Sequence, residues 1–255
     1  QAAQYQAIAT GLAGRKLIIR TLDAGADKAL PYLAMPKEEN PQLGVRGIRL
    51  GLARPELLRA QFRAILRVQP AEQCSIMLPM VSSLAELQQA RAMLDEEKAA
   101  LGRTDAVKLG IMIEVPSAAL LSEALAAEAD FFSVGTNDLT QYVLAMDRLN
   151  PALARAVDAL HPAVLRLIAT TVEGARKHGR WVGVCGGLAS IPLAAPVLIG
   201  LGITELSATA AAVPQVKAVV RTLTMEACVA AMHEALQQTS AQAVRAGLAR
   251  RWPDA

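Results

Sequence analysis

Ala129-Asp130-Phe131-Phe132-Ser133-Val134-Gly135-Thr136-Asn137-Asp138 runs from an apolar, β-rich stretch through one glycine into an amide and a carboxylate. Such a run reads as a buried strand that delivers Thr136, Asn137 and Asp138 to its C-terminal end. Loops at strand C-termini are where parallel α/β folds place their chemistry. On these residues alone two readings stay open. The Asn-Asp pair can cap a following helix, or, with Arg148 close behind, it can form one wall of a site for a small anion and a metal.

Outward from this strand the chain repeats the same alternation. Gln1 to Ile8 reads as a helix already in progress, and Lys16 to Thr21 as a buried strand ending on charge. A polar, Pro-rich loop over Asp23–Pro41 follows. Pro55 stands at a first helical position before Leu57, Leu58, Phe62, Ile65 and Leu66, spaced for one helix face. Ser75 to Met80 is a short strand. Ser83-Leu84-Ala85-Glu86 has capping-box spacing and opens a helix carrying Leu84, Leu87 and Leu94. Leu109 to Ile113 is a strand ending on Glu114, with Val115-Pro116-Ser117 turning into a helix. After a long helical stretch Trp181 to Val184 delivers Cys185, and Glu205 to Ser207 is a last short strand before helices that run to the end.

Strands alternating with helices, without hairpin signals, predict a parallel α/β sheet. Six strands are read, and polar or reactive groups follow the first five, the pattern of the mouth of a TIM-type (β/α)8 barrel. Eight strands would need two more, so the first two are expected upstream of this chain. The expected organisation is a single barrel domain over residues 1–255, with 225–255 as a helical tail.

Composition narrows the function. In 255 residues the net charge is +3 and aromatics make up 3%, with no basic block interleaved with aromatics, so nucleic acid is not a predicted partner. The three cysteines, Cys74, Cys185 and Cys228, are widely spaced, which fits neither a disulfide framework nor a zinc cluster and points to a cytoplasmic, reducing setting. No apolar stretch is long enough for membrane insertion as a helix; Pro192 and Pro196 break the longest, Ile191 to Ile203. Arg245 to Arg251 reads as a solvated C-terminal helix.

If the strand ends converge, they bring Arg20, Glu114, Asn137, Asp138, Arg148 and Cys185 to one cavity, with Arg46 close behind. Two carboxylates with no histidine beside them suit an oxygen-preferring cation such as Mg²⁺. Several guanidinium forks suit phosphate and carboxylate. Each residue also has a plainer reading: Glu114 as a salt-bridge partner, Cys185 as a small buried hydrophobe, Arg20 and Arg46 as partners of surface acids. Cys74 and Cys228 read as structural, and His161, His178 and His233 as surface or packing residues.

Asp130-Phe-Phe-Ser-Val-Gly-Thr-Asn-Asp-Leu-Thr-Gln-Tyr-Val-Leu-Ala-Met-Asp-Arg148 resembles the signature of phosphoenolpyruvate-utilising enzymes. Arg20-Thr-Leu-Asp-Ala-Gly-Ala-Asp-Lys28 and Pro36-Lys-Glu-Glu-Asn-Pro-Gln-Leu-Gly-Val-Arg46 resemble Enzyme I of the bacterial sugar phosphotransferase system, over about residues 1 to 225. The resemblance implies a TIM-type barrel in which Arg20, Arg46 and Arg148 hold phosphoenolpyruvate and Asn137 contacts its phosphate. It also implies Glu114 and Asp138 as Mg²⁺ ligands, Asp138 lying against the substrate too, and Cys185 as the acid that protonates the methylene carbon to give pyruvate.

The implied partners are a histidine-bearing N-terminal domain, the carrier HPr and a second copy in a homodimer. Dikinase and synthase domains share the barrel, and a non-catalytic sensing or dimerisation module is the alternative from another class. None of the three histidines stands in the family's phosphate-accepting motif, so this chain alone is not expected to be phosphorylated. A phosphate-binding arginine expected in a Gly-Leu-x-Arg-Thr-Glu strand is not matched, and Gly187 stands where members usually carry Glu. That glycine suggests a subgroup such as the fused multiphosphoryl transfer proteins for fructose uptake.

Overall fold

The computed structural model describes residues 1–25, 33 and 35–254. The described chain divides into two compact units, Gln1–Met112 with Glu128–Phe131, and Ile113–Ala127 with Phe132–Ala255.

In the first unit α1 (Ala2–Gly11) leads to β1 (Leu17–Arg20), followed by α2 (Ile48–Ala53), α3 (Pro55–Leu66), β2 (Cys74–Leu78), α4 (Leu84–Ala100) and β3 (Lys108–Ile113). The strand order is β1-β2-β3. Both pairings are parallel, with Leu17 opposite Cys74 and Ser75 opposite Lys108. All five residues of β2 are buried, as expected of a strand covered on both faces. The helix starts follow the sequence: Pro55 stands at the first turn of α3, and Ser83 and Glu86 exchange both bonds of the capping box that opens α4. Helix α2 was not anticipated. Of the loop read over Asp23–Pro41, residues 26–32 and 34 lie outside the described residues, and with them Asp27 and Lys28 of the Enzyme I-like stretch.

The second unit contains α5 (Pro116–Leu120), α6 (Ser122–Glu128) except its last residue, β4 (Phe131–Gly135) except its first, α7 (Thr136–Leu144), α8 (Pro162–Lys177), β5 (Trp181–Cys185), α9 (Ala195–Gly200), β6 (Glu205–Leu206), α10 (Val213–Val220), α11 (Met225–Gln237) and α12 (Ala241–Arg251). Its strand order is β4-β5-β6, with β5 and β6 parallel from Gly183 opposite Glu205. Every residue of β4 is buried. Helices α9 and α11 pack so closely at Gly200 that a Cβ there would lie 2.2 Å from the Cys228 carbonyl oxygen. Cys228 is fully buried, in line with a structural role. Among the described residues no helix is long and apolar enough to cross a membrane.

The arginines near the C-terminus are not simply solvated. Arg245 makes a two-pronged pair with Asp158, Nε to Oδ2 at 2.6 Å and Nη2 to Oδ1 at 2.9 Å, while Arg250 and Arg251 both face Glu234. Burial pushes the Asp158 carboxyl up, but the Arg245 hydrogen bond, the Leu160 N–H and the Arg245 charge outweigh it and hold the group below the ordinary carboxylate range. A carboxyl lowered by folding stabilises the fold at neutral pH. That contribution is lost as pH falls below the unfolded value of about 3.9 and through the lower folded one. Asp158→Asn is therefore expected to cost on the order of 1 kcal/mol at pH 7, with the gap narrowing toward pH 3 in urea unfolding. A gap unchanged at pH 3 would assign the loss to packing instead of charge.

Candidate functional site

The residues singled out in the sequence fall into two clusters, one in each unit. In the first, Arg20 ends β1 with its side chain 44% exposed and its Nη1 3.6 Å from Asp23 Oδ2. Arg46 is 2% exposed, and so is the Asp23 side chain. Arg46 Nε donates to Asp23 Oδ1 at 3.1 Å, Nη2 to Oδ2 at 2.7 Å, and Nη1 to Gln42 Oε1 at 2.6 Å. The acid that Arg20 and Arg46 share is a buried one, not the surface partner anticipated as the plain alternative. Behind Arg46, Gly47 lies so close to Met80 that a Cβ on it would come within 2.7 Å of the Met80 Cβ. Met80 itself holds a left-handed backbone at φ 61, a sparsely populated conformation for a residue with a long side chain.

In the second unit Glu114, the residue after β3, is 1% exposed. The end of β4 passes directly into α7, with Gly135 as N-cap and no side chain capping the helix. Asn137 and Asp138 therefore lie within the first turn and are not caps. The helix-capping alternative is not realised, because the turn begins one residue earlier, at Thr136. Asn137 uses its Oδ1 instead to accept the Gly187 N–H at 2.9 Å. Asp138, 7% exposed, has Oδ1 3.5 Å from Arg148 Nη2.

Arg148 is steadied through its backbone N–H, which donates to Gln141 Oε1 at 3.1 Å. Its Nε is buried and carries no hydrogen-bond partner. Cys185, at the end of β5, is partly exposed and not the fully buried hydrophobe of the plain reading. Its Sγ donates to the Val134 carbonyl at 3.4 Å, while Thr136 Oγ1 donates to the Cys185 carbonyl at 3.1 Å.

The second cluster thus joins Asn137, Asp138, Arg148 and Cys185 through bonds between the ends of β4 and β5. Sequence reasoning assigned no role to Asp23, Gln42 or Gln141 and placed Thr136 only at the strand end; these residues hold the site side chains in place. All four stood inside the quoted motifs, and that membership was the only signal for them.

Chemically, the second cluster offers a buried unsatisfied N–H, an uncapped helix N-terminus and a thiol. The first two attract an oxyanion, since the leading N–H groups of a helix have no internal partner and the helix dipole is positive there. Among the described residues no three His, Cys, Asp or Glu side chains gather as a metal cage. Glu114 and Asp138 are two nearly buried carboxylates. Carboxylates are the ligand type that Mg²⁺ takes, ordinarily one or two of them with water and substrate oxygens completing the shell.

The profile of the PEP-binding domain of PEP-utilising enzymes matches residues 1–225. The multiphosphoryl transfer protein of Xanthomonas campestris pv. campestris is 53% identical over 243 residues, covering 95% of this chain and 29% of its own length. The phosphoenolpyruvate-protein phosphotransferase of Listeria monocytogenes serovar 1/2a is 42% identical over 245 residues, covering 94% of this chain and 43% of its own length. The chain thus spans less than half the length of these curated relatives. A citrate lyase from Burkholderia xenovorans LB400 superposes with a TM-score of 0.54 at 16% identity, over 98% of this chain and 78% of that one. At that identity the likeness speaks for the fold alone, a parallel α/β fold of the TIM-barrel type as the strand–helix alternation predicted.

Proposed function

The chain belongs to the PEP-utilising enzymes, as their PEP-binding domain, and from that premise we propose that it binds phosphoenolpyruvate in an Enzyme I type phosphotransferase. In this reading it acts in the cytoplasm as a homodimer. The phosphoryl group passes to a histidine of a further domain and then to HPr for sugar uptake, and pyruvate is released. The observation that carries the site is the buried, unpartnered Nε of Arg148, an N–H whose desolvation is offset only when an acceptor arrives.

Arg148 and the first turn of α7 receive the phosphate, and Asn137 adds its amide. Glu114 and Asp138 would hold Mg²⁺, which when bound supplies charge neutralisation for the phosphate and the enolate oxygen. When the phosphorus–oxygen bond breaks, the electron pair stays on the enol oxygen. The methylene carbon then takes the proton of the Cys185 thiol to give pyruvate, and the thiolate regains a proton from water. The thiol's contact with the Val134 carbonyl supports this role, because a thiolate has no hydrogen to donate there.

The test supplies the histidine-bearing domain of a relative in trans with phosphoenolpyruvate and Mg²⁺. Pyruvate and phosphohistidine are expected in equal amounts. Calorimetric binding of phosphoenolpyruvate with no pyruvate formed would leave a sensing module and remove the catalytic reading.

A further inference from the structure

Gly187 opens a short 3-10 turn, Gly187–Ser190. The first N–H groups of any helical turn lack a partner inside the turn, so this one is available to an outside acceptor. It donates to Asn137 Oδ1 at 2.9 Å. A backbone N–H can only donate, so the atom facing it must be the amide oxygen. The side-chain orientation of Asn137 is thereby set without ambiguity. With Oδ1 engaged by Gly187, the two Nδ2 hydrogens are turned away from the β5 end.

We propose that the Gly186-Gly187 step fixes the Asn137 amide so that it presents donors, and not its carbonyl oxygen, to a phosphate-class anion. The proposal rests on the reading above that Asn137 faces the phosphate. Glycine is what lets the backbone come this close. A Cβ on Gly187 would sit 3.3 Å from Asn137 Oδ1, tight enough to press on it. Gly186 has φ +92, and a Cβ there would lie 2.7 Å from Thr136 Oγ1 and 3.1 Å from Asn137 Oδ1. Gly187 thus has a physical task in this chain. A larger residue at 187 would push the amide oxygen from its anchor. Without the anchor the amide can turn its oxygen toward the anion, where it repels.

The experiment measures binding of phosphoenolpyruvate with MgCl₂ to the full chain by calorimetry, for Asn137→Ala, Gly187→Pro, Gly187→Ala and the Asn137→Ala/Gly187→Pro double variant. Proline removes the N–H but suits the first position of a helical turn. Asn137→Ala and Gly187→Pro are each expected to weaken binding about tenfold. The double variant should be no weaker than the weaker single one, because both act through one amide. Gly187→Ala keeps the N–H and should lose less than Gly187→Pro.

Wild-type affinity in Gly187→Pro beside a tenfold loss in Asn137→Ala would overturn the proposal and leave the functional reading standing. Wild-type affinity in Asn137→Ala would remove the role of Asn137 on which the proposal rests. Should Gly187→Pro fail to fold by thermal unfolding, Asn137→Asp decides. It keeps an acceptor for Gly187 but has no donor, so it should bind more weakly than Asn137→Ala, and affinity equal to wild type would overturn the proposal.

Discussion

Arg46→Ala is expected to destabilise the first unit by about 3–5 kcal/mol, because it strands the buried carboxylate of Asp23 without its cation. Arg46 and Asp23 are each 2% exposed and joined by two bonds, the shorter at 2.7 Å. In water neither charge would need the other. In this interior the surviving Asp23 would keep the Arg20 guanidinium, 3.6 Å away and exposed, as a weaker counter-charge. The loss should appear as a fall in melting temperature on the order of 10 °C. Arg46→Lys should recover only part of it, since an ammonium supplies charge but not the planar fork that engages both oxygens and Gln42 together. Arg46→Met combined with Asp23→Asn should recover more, because neither charge is then left buried alone. A cost below about 1 kcal/mol for Arg46→Ala, comparable to a surface pair, would mean that Asp23 is solvated in solution. Ligand binding by Arg46→Ala must be measured well below its melting point, so that lost affinity is not confused with lost fold.

What was legible in the sequence is what short-range rules govern. The strands were readable because runs such as Phe131 to Val134 are apolar, β-favouring and closed by glycine, and the helix starts because proline at 55 and 116 and the Ser83 capping box act on neighbouring residues. Helix α2 escaped because six residues holding Gly51, with a positive-φ glycine and no capping side chain before them, carry no start signal. The site was legible as a set of residue types but not as a set of bonds. Asp23 and Arg46 meet across a loop, and the partners of Asn137 and Arg148 include a backbone N–H and a glutamine oxygen. Backbone donors are the same at every position, so no residue pattern can mark them. The capping reading of Asn137 failed for the same reason, since where the first turn begins depends on the path of the backbone at Gly135.

The step in the proposed reaction most exposed to a single substitution is the proton transfer. Cys185→Ala should lower pyruvate formation by roughly 10²–10⁴-fold while leaving phosphoenolpyruvate affinity within about threefold of wild type. The thiol is held from two sides, by its own contact with the Val134 carbonyl and by the Thr136 hydroxyl on the Cys185 carbonyl, so the proton is aimed from a fixed strand end and not from a mobile loop. Turnover alone cannot distinguish a lost acid from a disturbed phosphate site. The reverse half of the step can be observed by itself: with pyruvate, Mg²⁺ and deuterated water, removal and return of a methyl proton should exchange hydrogen for deuterium without any histidine domain present. Exchange followed by NMR should be abolished in Cys185→Ala and barely restored in Cys185→Ser, because a hydroxyl gives up its proton far less readily than a thiol. Exchange at the wild-type rate in Cys185→Ala would place the proton donor on another group, whereas exchange lost together with binding would assign Cys185 to holding the site and not to its chemistry.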